Sequence, residues 1–282
     1  MAKTLDAAQL SELLKEMARS DSVELKLTVP DSDIRSAVRS LDLDPLEAKI
    51  RQVTFYDTPE LSLNAAGVVV RSRGIQGGAG DTAVKLRPLP PDLARGKSLK
   101  ELTIEVDAMP GGFVCSGTIK NATTAAEVRK VVMGKAKIGS IFSKGQKAFF
   151  SEHAPNGLTM KDLNVLGPIT IFKLKFSPKG LKTPMVAELW MYPNGSRILE
   201  LSTKSTPAGA LQVAAEARVF LAEKGIDLTA AQQTKTKTAL NYFASQFRSP
   251  AEVAAPATEA TATETTPPET ATSEEAAGPT GA

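Results

Sequence analysis

The sequence predicts an α+β fold dominated by antiparallel strands, and three observations carry that prediction. From Ser22 to Val29 polar and apolar residues alternate without a slip, so Ser22, Glu24, Lys26 and Thr28 share one face of a strand and Val23, Leu25, Leu27 and Val29 the other. The same two-residue period returns at 68–73, 83–87, 101–107, 169–176, 185–191 and 198–204. Helical spacing is confined to segments before, between and after these runs. At 282 residues with an ordinary apolar share, the chain can bury a core.

In chain order, Leu10, Leu13, Leu14 and Met17 mark an amphipathic helix over 5–19, with Thr4 or Asp6 as cap. After the first strand, Pro30-Asp31-Ser32 turns into a second helix marked by Ile34, Val38 and Leu41, which ends before Asp44-Pro45. Residues 50–57 form a strand stopped by Thr58-Pro59, and Leu61 and Leu63 form a short helical turn before Gly67. Gly74 to Gly80 is a glycine-rich hairpin loop. It lacks the Lys-Ser/Thr and the following helix of a phosphate-binding loop. Pro88 to Lys97 is a proline-rich loop. Val128, Val131, Val132 and Met133 predict a helix over 123–133, and Ile141-Phe142 and Ala148-Phe149-Phe150 predict short strands flanking Lys144 and Lys147. Pro193-Asn194-Gly195 is a tight hairpin turn into the strand of Glu200. Two helices follow, at 208–223 closed by Gly225 and at 229–247 opened by Thr229. Residues 249–282 are Ala, Thr, Glu and Pro with almost no large apolar side chain. They cannot repay the entropy of ordering and read as a disordered tail.

Charge is sorted by strand. Arg71 with Arg73 and Lys85 with Arg87 make two basic faces, while Glu101, Glu105 and Asp107 make one acidic face and Glu200, with Ser202 and Lys204, another that is mainly acidic. A merely solvated sheet has no reason to segregate its charges. The formal charge of +3 conceals a basic folded part: the last 34 residues hold six glutamates and no Lys or Arg, which leaves 34 basic against 25 acidic residues in 1–248. Such a body attracts anions. Nucleic acid fits poorly, since few aromatic residues are present for stacking and no recognition motif appears.

Single residues exclude other chemistries. Cys115 is the only cysteine and His153 the only histidine, which rules out an internal disulfide and a zinc site built from several Cys or His ligands. His153 reads as a surface histidine where a strand end meets a turn, and Cys115 as inert packing. The charged first twenty residues and the absence of a long apolar run predict a cytoplasmic protein without a membrane span.

Taken together, the near Glu-x-Glu-x-Lys first strand, Phe55-Tyr56-Asp57-Thr58-Pro59-Glu60-Leu61 with Leu63 and Gly67, Val70-Arg71-Ser72-Arg73 and Val84-Lys85-Leu86-Arg87 resemble the CYTH family of triphosphate tunnel metalloenzymes. Order and spacing match over 22–107, and Glu188, the hairpin turn and Glu200 to Lys204 extend the match to residue 204. The resemblance implies an eight-stranded antiparallel β-barrel with a charged lumen and helices packed outside. It divides the chain into a helical extension (1–20), a tunnel domain (21–206), a helical pair (207–248) and the tail (249–282). Carried over by position, Lys26, Arg71, Arg73, Lys85, Arg87 and Lys173 would grip phosphates. Glu24, Glu200 and Glu188 would hold Mg2+ or Mn2+, and Glu24, Glu200 and Glu105 would be catalytic. Ser22 and Ser202 depart from the family, standing where further acidic residues are usual. The implied activity is metal-dependent hydrolysis of an inorganic or organic triphosphate. A non-catalytic triphosphate or polyphosphate module and an adenylate cyclase are the alternatives.

Overall fold

The computed structural model describes residues 6–90, 101–155, 157–229, 232 and 235–247. The expectation for the tail, and most of that for the loop after Pro88, lie outside these residues. The helices are α1 (Ala7–Arg19), α2 (Ile34–Ser40), α3 (Ser62–Ala65), α4 (Ala125–Val132), α5 (Lys144–His153), α6 (Ala210–Glu223) and α7 (Lys235–Ser245). The strands are β1 (Ser22–Val29), β2 (Lys49–Asp57), β3 (Val68–Ile75), β4 (Ala79–Leu86), β5 (Leu102–Met109), β6 (Gly112–Thr124), β7 (Asn164–Phe176), β8 (Met185–Met191) and β9 (Arg197–Ser205). They close into a barrel in the order β1-β5-β6-β4-β3-β2-β7-β8-β9.

The barrel has nine strands rather than eight, and one pair is parallel: β1 lies beside β5 with Ser22 facing Glu105 and Glu24 facing Asp107. An odd number of strands cannot alternate direction around a closed ring, so one neighbouring pair must run the same way. The strand that sequence reading passed over is β6, whose Cys115-Ser116-Gly117-Thr118 segment is too small and polar to show a strong two-residue period. Its Gly117 packs closely, since a Cβ there would lie 2.9 Å from Leu89 Cδ1 and that side chain would have to shift.

The predicted strands at 141–142 and 148–150 are a single turn of 3-10 helix followed by α5. A capping box decides this: Ser143 accepts from the Gln146 amide while Gln146 accepts from the Ser143 amide. Gln146, Phe149 and Phe150, at helical spacing, are then buried together. His153 consequently ends a helix instead of a strand, half-buried with its ring edge on Phe149 at 4.6 Å. Similar capping boxes open α1 (Asp6, Gln9) and α4 (Thr124, Glu127).

The aliphatic faces of the strands lie under helices. Val23, Val70, Val84 and Ile119 pack with Leu13 and Met17 of α1, Val128 and Val131 of α4, and Phe149 and Phe150 of α5. Leu27, Val29, Leu199 and Leu201 pack with Ile34 and Ala37 of α2 and with Phe220 and Leu221 of α6. A third cluster gathers Val53, Phe55, Ile169, Ile171, Trp190 and Ile198 with Ala239 and Leu240 of α7. By alternation Val53, Ile171, Trp190 and Ile198 share the faces of Arg51, Lys173, Glu188 and Glu200, so this cluster borders the charged lumen with apolar surface. No helix among the described residues is long and apolar enough to cross a membrane.

Candidate active site

The inward faces enclose a cavity of about 930 Å³ lined by Glu24, Lys26, Arg71, Arg73, Lys85, Arg87, Glu105, Lys173, Glu188 and Glu200, so every residue singled out from the sequence borders one space. Closure sorts their charges into two walls. The acidic residues Glu188, Glu200, Glu24, Glu105 and Asp107 lie on the consecutive strands β8-β9-β1-β5, interrupted there by Lys26 of β1 and Lys204 of β9, and the basic residues Lys120, Lys85, Arg71, Arg73, Arg51 and Lys173 lie on β6-β4-β3-β2-β7.

Three residues absent from the sequence-based set organise the site. Asp107 is fully buried and receives Lys26 at 2.6 Å, Lys85 at 3.3 Å and Arg87 at 3.8 Å. Burial raises its pKa, but Lys85 and Lys26 outweigh that and hold the carboxyl well below its ordinary range. One carboxylate cannot satisfy three cations. Lys26, which has the shortest bond and Glu24 at 3.0 Å as well, is pushed above its ordinary pKa despite burial. Lys85 is drawn down to about 8, by desolvation first and against the pull of Asp107. Asp107 continued the face of Glu105 in the sequence, and that position was the signal that could have found it.

Arg51 is the second. Among the described residues Arg51, Arg71 and Lys120 form no ion pair, and the buried Arg51 Nε has no hydrogen-bond partner. Desolvation and then the neighbouring Arg73 lower Arg71 to about 10. Arg73 differs, its Nε donating to Asp81 at 2.8 Å. The basic wall thus offers desolvated, unpaired cations to an anion.

The third is Lys235 of α7, whose Nζ lies 2.7 Å from Glu188 and 2.6 Å from Glu200. Glu188 also takes Lys173 at 2.7 Å. Although burial raises the Glu188 pKa, Lys235 and Lys173 hold it well below the ordinary value. A helical residue far along the chain gives no sequence signal for a strand face.

Glu24 and Glu200 do not meet. Their strands are neighbours, but Glu200 faces Thr28 while Glu24 faces Lys204, an offset of four residues or about 13 Å along the strand. Glu24 instead joins Glu105 and Asp107, and one oxygen from each lies within 4.8 Å of the others. Ser22 points its hydroxyl at Glu105 at 3.5 Å, so β5 brings carboxylates alongside the serine that departs from the family pattern. The acidic side of the site is therefore divided between a Glu24–Glu105–Asp107 cluster and a Glu188–Lys235–Glu200 bridge.

Solved structures share this architecture. HpAC1 from Hippeastrum, named as a candidate adenylyl cyclase and described by a dominant triphosphatase activity, aligns with a TM-score of 0.59 at 16% identity, over 78% of this chain and 95% of that one. The fold is that of a CYTH-like triphosphate tunnel domain. A Bacillus halodurans protein named as a candidate adenylate cyclase aligns with a TM-score of 0.56 at 11% identity, over 78% of this chain and 97% of that one. No family model and no curated protein sequence matches the chain. At these identities the tunnel fold is what is held in common.

Proposed function

We propose that the tunnel binds a linear triphosphate and hydrolyses it with the help of a divalent metal ion. The observation that carries the reading is the division of one lumen into a basic and an acidic wall. Arg71, Arg73, Lys85 and Arg87, joined by Arg51 and Lys120, take the phosphate oxygens, the guanidinium groups in bidentate fashion. Glu24, Glu105 and Asp107 fit a hard cation: they converge, offer only oxygen, and the ammonium groups beside Asp107 keep it ionised. They would hold Mg2+ or Mn2+, which when bound neutralises charge on the transferring phosphoryl group. Lys26, which bonds Glu24 and Asp107 here, would turn to a phosphate when the cluster receives metal. Glu105, which is paired with Lys204, would orient the attacking water and take its proton. In-line attack on a positioned phosphoryl group needs little else from the protein.

A second reading, a non-catalytic triphosphate or polyphosphate module, is favoured by one observation. Lys26 and Lys235 pair with carboxylates on both acidic strand pairs, where a metal ion would otherwise have to bind. Cyclisation of a nucleoside triphosphate fits less well, because Lys235 covers the face of Trp190, the tryptophan lining the cavity. The deciding experiment is a phosphate-release screen of inorganic and nucleoside triphosphates with Mg2+ or Mn2+ and with EDTA, monitoring cyclic AMP in parallel. Metal-dependent phosphate release without cyclic AMP supports the hydrolase. Metal-independent binding without turnover supports the module.

A further inference from the structure

Glu188 on β8 and Glu200 on β9 stand directly opposite each other, a position in which two like charges destabilise an antiparallel pair. The chain puts a cation between them. Lys235 Nζ lies 2.7 Å from Glu188 Oε2 and 2.6 Å from Glu200 Oε1, and 5.0 Å from the centre of the Trp190 ring. The helix that carries the ammonium is held against the barrel. The Tyr192 hydroxyl donates to the Lys235 carbonyl at 3.0 Å, and Ala239 and Leu240 of the same helix are buried in the apolar cluster beneath. A divalent ion shared by these carboxylates would require the volume that Nζ fills, since Mg2+ sits only about 2.0–2.1 Å from its oxygens.

We propose that Lys235 is a built-in cation that keeps metal out of the Glu188–Glu200 pair, so that the chain holds its divalent ion at Glu24, Glu105 and Asp107 alone. The exclusion stands on the geometry of Lys235, whereas the remaining ion rests on the function proposed above. The resemblance implied that Glu188 and Glu200 ligate metal. Here they ligate an ammonium.

Mn2+ binding, counted by electron paramagnetic resonance or calorimetry without substrate, separates the two parts. Wild type is expected to bind one Mn2+, and Lys235→Met to bind one more. Lys235→Arg, which keeps the charge, should retain the wild-type count, and adding Glu200→Gln to Lys235→Met should remove the gained ion. If Lys235→Met does not fold, as judged by its melting transition, Lys235→Gln carries the same expectation. A folded uncharged variant that gains no ion overturns the proposal. So does a gained ion that survives Glu200→Gln. Should wild type bind none and Lys235→Met bind one, the exclusion by Lys235 stands and the Glu24–Glu105–Asp107 metal site fails.

Discussion

Replacing Asp107 by Asn removes the carboxylate on which Lys26, Lys85 and Arg87 converge while preserving its shape. Asp107 is fully buried and its partners lie at 2.6, 3.3 and 3.8 Å, so the change leaves Lys85 and Arg87 without their carboxylate and Lys26 with Glu24 alone. Breaking a buried pair in this way costs about 3–5 kcal/mol. For a domain of this size, at roughly 2–4 °C per kcal/mol, the melting temperature should fall by about 6–20 °C. A triphosphate would replace the lost negative charge. Saturating tripolyphosphate should therefore stabilise Asp107→Asn more than wild type and narrow the gap. Thermal melts with and without tripolyphosphate, free of metal, measure both quantities. A variant within about 0.5 kcal/mol of wild type, the range of an ordinary surface substitution, would refute the charge balance described for this wall. An unchanged gap on adding ligand would refute the anion site.

Three further outcomes follow from individual side chains. Arg71→Met removes a desolvated, unpaired guanidinium and should raise the melting temperature while weakening tripolyphosphate binding by about 1.5–3 kcal/mol; Arg73→Ala should lower both, because it strands Asp81. Lys85, at about 8 when folded against an ordinary 10.5, is protonated below about 8 at a cost to folding that is fully present there and fades as pH rises toward about 10.5. Triphosphate restores the protonated form, so binding should take up a proton and weaken as pH climbs from about 7 to about 9.5, and calorimetry should find this dependence reduced in Lys85→Met. Burial first, and then Glu16, push the Cys115 thiol up to about 12, so a thiol reagent at about pH 8 should leave the native protein unmodified and label it once denatured.

The parts of this fold that could be read in the sequence are those governed by the two-residue period. Once Ser22 to Val29 alternates, Glu24 and Lys26 must share a face, and the same holds for Arg71 with Arg73 and Lys85 with Arg87. Those faces do point into one cavity. What alternation cannot convey is which strands become neighbours. The parallel contact of β1 with β5 joins residues more than eighty positions apart and sets Glu24 beside Asp107, while the register of β1 on β9 keeps Glu24 four residues from Glu200. At 141–150 the apolar runs Ile141-Phe142 and Ala148-Phe149-Phe150 suggest strands, but the Ser143–Gln146 capping box is the stronger signal. Lys235 was illegible for a different reason: on a helix a lysine ordinarily faces solvent, and only the tertiary fold turns this one onto two glutamates.

The central claim is that Glu24, with Glu105 and Asp107, holds the metal that supports hydrolysis of a triphosphate gripped by the opposite wall. Phosphate release from tripolyphosphate with Mg2+ or Mn2+, measured for wild type and Glu24→Gln beside metal-free tripolyphosphate binding, tests it directly. The expected result is loss of metal-dependent release in the variant, with metal-free binding equal to or tighter than wild type because one negative charge has left the lumen. Full activity in Glu24→Gln would contradict the account.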